Sequence, residues 1–191
     1  MSTPKSFLSP ARLAGWGVAL AVIIGVVVMM KMRAAQESNP SSIPREPAKA
    51  DLVRYLGKTA ATWPAWSAKD AASVPASMGR WVGSQMALEQ LFAAESGLTF
   101  VGASEGAVPG PGKSAVLGFK AGETPVTIFV QQYLELPKLE RGVTYRMPTA
   151  SGQQVVVGLP EAKLFFIASP KAEGVAAATK ALGMPAASKD Y

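Results

Sequence analysis

Hydrophobic and polar positions follow a different pattern in each part of this chain. From Leu13 to Met30 eighteen residues run without a charge, and as a helix they would span about 27 Å, enough to cross a bilayer. Prolines and few apolar residues follow, which favours an extended linker. Apolar residues recur at helical spacing from residue 51 to residue 97, and β-type runs begin at residue 98. The predicted organisation is a tail at 1–12, a transmembrane helix at 13–30, a linker at 31–50, a globular domain at 51–184 and a tail at 185–191.

The first part of the domain is predicted to be helical. DLVRYLGK is a short amphipathic stretch, and a longer helix is expected from Ser73, a candidate cap, to Gly97, a candidate stop. Pro75 falls in the first turn of this longer helix, where its missing N–H is tolerated. The stretch AEGVAAATKALG predicts a last helix, which would end at Gly183.

Between the helical regions, five runs rich in β-branched and aromatic residues predict strands. They read LTFVGA, SAVLGF, PVTIFVQQY, QVVVGL and KLFFIAS. In the third run Thr127, Phe129 and Gln131 alternate with more apolar neighbours, which suits an antiparallel sheet with one covered face and one wetter face. We therefore expect an α+β fold, in which an antiparallel sheet of about five strands carries helices packed on one face.

The apolar span has the flanks of a retained membrane anchor. Trp16, Arg12, Lys31 and Arg33 lie where interfacial aromatic and cationic residues are expected. The alternative is a cleaved signal peptide, but the span is long for one and cations follow it where small neutral residues should precede a cleavage site.

Small residues recur every fourth position within this span. Gly17, Ala21 and Gly25 would share one helical face and allow another membrane helix to approach closely. The alternative, that this face simply meets lipid, stays open on the sequence alone. Cations near the two ends of the span are almost equal in number, so the positive-inside rule does not decide the orientation.

Composition excludes several kinds of chemistry. The chain has no cysteine and no histidine, so it lacks the usual ligands of zinc and haem and the usual partners of a catalytic triad. The net charge is +6, of which residues 1–50 carry +4. The remaining +2 on the domain gives no basic stripe for nucleic acid. We expect no metal, no cofactor, no nucleic acid and no catalytic residues.

One glycine-rich stretch is formally similar to a phosphate-binding loop. AVPGPGKS at 107–114 ends in Gly-Lys-Ser, but two prolines remove backbone donors, and a strand follows where the mechanism requires a helix. Ser114 and Lys113 are neighbours on a strand, so their side chains point apart and do not form a Ser-Lys dyad. The sequence predicts a turn here and no nucleotide site.

Large apolar residues in irregular segments are candidates for protein binding. Trp63 and Trp66 lie in TWPAWSA, and Leu134, Leu136 and Leu139 alternate with charges in LELPKLER. The alternative for both groups, packing against their own domain, is the more economical interpretation. The carboxylates are scattered, and no pair is selected for acid-base catalysis.

The order of anchor, proline-rich linker, helix and the segment GLTFVGASEGAVPGPGKSAVLGFKAGETPVTIFVQQ resembles the extracytoplasmic region of bacterial single-pass anti-sigma factors. Residues 97–131 carry most of this resemblance. Twelve residues precede the anchor, so we expect the zinc-coordinating sigma-binding domain to be missing. The tryptophan-bearing strand expected after residue 140 also has no match, since GVTYRMPTASG offers only Tyr145.

The resemblance implies a cytoplasmic amino terminus and a periplasmic domain in the bacterial inner membrane. With the anchor, it leads us to expect a non-catalytic accessory subunit of a larger membrane complex, with respiratory and photosynthetic assemblies as candidates. The expected partners are integral membrane subunits and the lipid bilayer, with no nucleotide. The alternative is a transmembrane regulatory protein related to anti-sigma factors.

Overall fold

A computed structural model describes residues 49–83, 88–110, 112–132, 139–160 and 163–191. The predicted transmembrane helix at 13–30 and most of the linker lie outside these residues. Within the described ranges, no helix is long and apolar enough to span a bilayer. Residues 45–191 form one compact unit.

The described residues form four α-helices and seven strands of one sheet. The helices are α1 (Lys49–Ala61), α2 (Val74–Trp81), α3 (Glu89–Phe92) and α4 (Ala172–Ala181). The strands are β1 (Leu98–Gly106), β2 (Ser114–Ala121), β3 (Thr124–Gln132), β4 (Thr144–Ala150), β5 (Gln153–Gly158), β6 (Lys163–Ser169) and β7 (Lys189–Asp190). A mixed α+β fold is therefore confirmed.

The sheet consists of two three-stranded meanders joined side by side. Its order is β1-β2-β3-β6-β5-β4-β7, and the two meanders meet where β3 pairs antiparallel with β6. Strands β2 and β3 form a hairpin, because Ala121 pairs with Thr124 across a two-residue turn. The seventh strand is short and pairs parallel with β4. It comes from residues 185–191, which we expected to be a tail beyond the domain.

Helices cover both faces of the sheet, so the prediction that they pack on one face is wrong. On the α1 face, Leu56 packs in a cluster with strand residues that include Val116, Phe129 and Phe166. On the α4 face, helices α2, α3 and α4 pack against the alternating residues of the same strands, such as Leu117, Ile128 and Ile167. Phe129 is completely buried. The face that the alternation predicted to be wetter is thus a second core.

The long helix predicted between Ser73 and Gly97 is interrupted. Helix α2 ends at Trp81, and Gly83 follows with a φ of +77°, a conformation that glycine adopts without steric cost. Pro75 lies in the first turn of α2, as predicted. Ser73 makes no side-chain capping bond to the helix, since its hydroxyl donates instead to the carbonyl of Asp70 at 2.7 Å.

Candidate functional site

The predicted helix-packing and interfacial residues lie outside the described residues, as do two of the loop leucines: Gly17, Ala21, Gly25, Arg12, Trp16, Lys31, Arg33, Leu134 and Leu136. Leu139, the third leucine of that loop, is half-buried and packs against the core on the α1 face.

The two tryptophans predicted as protein-binding candidates pack against their own sheet. Trp63 donates from Nε1 to the hydroxyl of Thr127 on β3 at 2.8 Å. Trp66 lies across Gly102 and Gly118, which pair directly between β1 and β2. A Cβ added at Gly102 would lie 2.2 Å from Cγ of Trp66, and one at Gly118 would lie 2.4 Å from Cζ2. The paired glycines thus form the recess that holds the indole.

The segment that carries these tryptophans crosses the outer edge of the sheet. Ala68 and Ala103 exchange backbone hydrogen bonds of 2.7 and 2.9 Å, so the chain beyond Trp66 joins β1 for one residue pair. It passes from the α1 face, where Trp66 packs, to the α4 face, where Ala68 packs. This crossing partly shields the edge of β1, an arrangement that limits unwanted strand pairing.

The glycine-rich stretch is the connection between β1 and β2. Ser114 begins β2, and its hydroxyl accepts a hydrogen bond from the backbone N–H of Val108 at 3.1 Å. Lys113 donates from Nζ to the carbonyl of Arg80 at 3.3 Å. The element that follows is strand β2, so the loop does not lead into a helix, as a phosphate-binding loop does. The sequence analysis predicted a turn here rather than a phosphate-binding loop.

A cavity lies on the α4 face that the sequence analysis did not predict. It has a volume of about 400 Å³ and lies between α4, strands β4 and β5, and residues 186–187. Its deeper wall includes Val156 and Val175, which are buried, while Ala176 and Ala187 lie nearer the solvent. The one available signal was the alanine-rich character of α4, because alanines at 172 and 176 repeat along one helical face.

A single guanidinium borders this cavity. Arg146 projects from β4 and donates from Nη2 to the carbonyl of Ala187 at 3.1 Å. Its Nη1 lies 3.9 Å from Oδ1 of Asp190, and both side chains are mostly exposed, at 64% and 85%. Such a pair contributes little to stability. Nη1 of Arg146 is therefore held only weakly by Asp190, whereas Nη2 is engaged by the carbonyl of Ala187.

The C-terminal residues 188–191 are hydrogen-bonded to β4 and to residues near it. Ser188 and Tyr191 donate from their backbone N–H groups to the carbonyls of Thr144 and Arg146 at 3.1 and 2.8 Å. Lys189 binds both carboxylate oxygens of Glu140, at 2.8 and 3.1 Å. The hydrogen bond from Lys189 to this carboxylate raises the pKa of the lysine above its ordinary value of 10.5. Lys49 of α1 also donates to the carbonyl of Tyr191.

Three other carboxylates lie in surface ion pairs. Asp51 pairs with Arg54, Glu123 with Lys120 and Glu173 with Lys171, at 3.3 to 3.8 Å. Among the described residues there is no group of three or more acidic, histidine or cysteine side chains that could hold a metal ion.

These features define a class of domain: a three-layer α+β unit whose largely antiparallel sheet lies between α1 on one face and α2–α4 on the other. Comparisons with protein-family models, curated proteins and solved structures give no match.

Proposed function

We propose that this protein is a single-pass inner-membrane protein that serves as a non-catalytic accessory subunit of a larger membrane complex, with a periplasmic domain that binds another protein. The observation that carries this proposal is the uncharged run from Leu13 to Met30 with cations at both ends. Such a run partitions into a bilayer because its helix buries apolar side chains and satisfies its own backbone.

The domain adds support through what it leaves available to a partner. Both faces of its sheet are already covered by helices of the same chain. A partner would therefore meet loops, sheet edges and the exposed sides of helices rather than an open sheet face.

Gentle extraction tests the assignment as a subunit. The full-length protein, taken from native membranes in a mild nonionic detergent and separated by native electrophoresis, should migrate in constant stoichiometry with a larger complex that mass spectrometry identifies. Recovery solely as a monomer or small homodimer would contradict the proposal. If deletion of the protein changed transcript levels and depleted no membrane complex, the regulatory alternative would be favoured.

The spacing of small residues supplies a sharper variant. Gly17→Leu combined with Gly25→Leu should release the protein from the complex, because bulky side chains on that face keep the two helices apart. Gly15→Leu is the control, since it adds one leucine side chain to the same span on a different helical face. If the double variant and the Gly15→Leu control stay in the complex to the same extent, the face that carries the small residues meets lipid and not a partner helix.

The absence of cysteine makes the orientation directly testable. Single-cysteine variants Ser6→Cys, before the span, and Lys58→Cys, exposed on α1, can each be labelled without background. A maleimide that enters the periplasm but does not cross the inner membrane should label Lys58→Cys in intact cells and Ser6→Cys only after lysis. The reverse result would place the domain in the cytoplasm.

A further inference from the structure

The cavity beside α4 has the dimensions and lining of a small-molecule site. Its volume of about 400 Å³ falls within the range of roughly 300–1,000 Å³ that such sites occupy. Its lining is mainly aliphatic, with Val156 and Val175 as buried surfaces for an apolar ligand. The cavity is open to solvent on one side, since Ala172, Ala176 and Arg146 in its lining are exposed.

The charged side chain in the cavity lining is that of Arg146. Arg146 lines the cavity and holds Asp190 only weakly, at 3.9 Å and in a highly exposed pair. A ligand seated against Val156 and Val175 would therefore meet the guanidinium of Arg146 near the solvent.

We propose that this cavity binds a small amphiphile with an apolar body and a single carboxylate. The apolar body would occupy the space between Val156 and Val175, where it leaves water. The carboxylate would replace Asp190 at Nη1 of Arg146, because a close charge-assisted N–H···O contact is stronger than an exposed pair at 3.9 Å. This ligand site is separate from the proposed role of the chain as a membrane subunit.

Photolabelling tests this site in the full-length protein. The protein is reconstituted in nanodiscs of uncharged phosphatidylcholine and illuminated with octanoic acid that carries a diazirine near the end of its chain. Mass spectrometry of the digested protein should find the label on peptides from β4–β5 and α4. Excess octanoate should prevent this labelling, and octanol at the same concentration should prevent it at least tenfold less effectively.

Two variants separate the parts of the site. Ala176→Trp fills the cavity from an exposed helix position and should reduce labelling at least tenfold. Ala72→Trp, at an exposed alanine outside the cavity lining, should not reduce it.

Arg146→Gln should weaken protection by octanoate about tenfold, equivalent to about 1.4 kcal/mol, and leave protection by octanol unchanged. Arg54→Gln, an exposed arginine on α1, is the matched control. Circular dichroism confirms that each variant is folded.

Three outcomes would overturn the proposal. Label that is spread over the domain and unaffected by Ala176→Trp would mean that the cavity is not the binding site. Equal protection by octanol and octanoate would mean that Arg146 selects no carboxylate. An absence of protectable labelling in the wild-type protein would leave the cavity for a side chain of a protein partner, a different occupant from the one proposed.

Discussion

Trp66 shows how two glycines determine where one side chain packs. Gly102 and Gly118 lie opposite each other on neighbouring strands, and the indole occupies the space that their side chains would take. Strand glycines can signal such a close approach, but the sequence does not say which group approaches. Trp63 and Trp66 could therefore be predicted to lie in an irregular segment, whereas the choice between interface and core required the structure.

Gly118→Ala should destabilise the domain. The added Cβ would lie 2.4 Å from Cζ2 of Trp66, so the indole must move, at a cost of about 1–3 kcal/mol in the free energy of unfolding. Gly79→Ala is the control, because nothing lies within 4 Å of the new Cβ and the residue is inside helix α2. It should stabilise the protein by about 0.5–1 kcal/mol. Urea unfolding of the full-length protein in nonionic detergent measures both.

The cause of this destabilisation can be isolated with a second substitution. In a Trp66→Leu background the recess is no longer filled by the indole, so Gly118→Ala should cost much less than in the wild-type protein. The difference between the two costs is the coupling energy of the pair, which for residues in contact is about 0.5–3 kcal/mol. An unchanged cost would show that Gly118 is required by the strand backbone and not by Trp66.

At the scale of elements, the strands most visible in the sequence are those with runs of β-branched and aromatic residues. Strands β1, β2, β3, β5 and β6 match the five predicted runs. Strand β4 was missed because TYRMPTA contains Arg146 and Pro148, which are exposed. Strand β7 was missed because two residues carry no periodicity, and its pairing depends on contacts with β4 and Glu140 that are distant in sequence.

The ion pair that holds β7 gives the stability of the domain a dependence on alkaline pH. Glu140 raises the pKa of Lys189 in the folded state, so the stabilising contribution is complete below the unfolded value of 10.5 and is lost as the pH rises through the higher folded value. The thermal midpoint of Lys189→Gln should therefore lie below that of the wild-type protein from pH 7 to 9, and the gap should close above pH 10.5. Thermal scans by circular dichroism measure this gap.

Because the side chain of Lys189 is 50% exposed, the difference in midpoint should be small and should shrink in high salt. Lys58→Gln, which removes an exposed lysine from α1, controls for the general loss of one positive charge. A gap that persists unchanged above pH 10.5 would mean that the glutamine disturbs β7 by some means other than the lost charge.

For the whole molecule, the two cores share the same strands. Adjacent residues of one strand point to opposite faces, as Phe165 does toward the α4 face and Phe166 toward the α1 face. The alternation in sequence indicated a sheet but could not show that α1 would cover its second face. Chain order does not determine the face on which a helix packs. The alternation therefore predicted that Thr127 and Gln131 lie on a wetter face, although both are buried.

This arrangement predicts that the two faces unfold together. Leu56→Ala on α1 and Met78→Ala on α2 each remove a completely buried side chain from a different face. Each should lower the free energy of unfolding by about 2–5 kcal/mol, whereas the exposed Arg54→Ala should change it by less than about 0.5 kcal/mol. In Leu56→Ala, hydrogen exchange should accelerate in α2 as well as in α1, because loosened strands weaken both cores. Faster exchange confined to α1 would instead mean that α1 detaches while the sheet keeps its other helices.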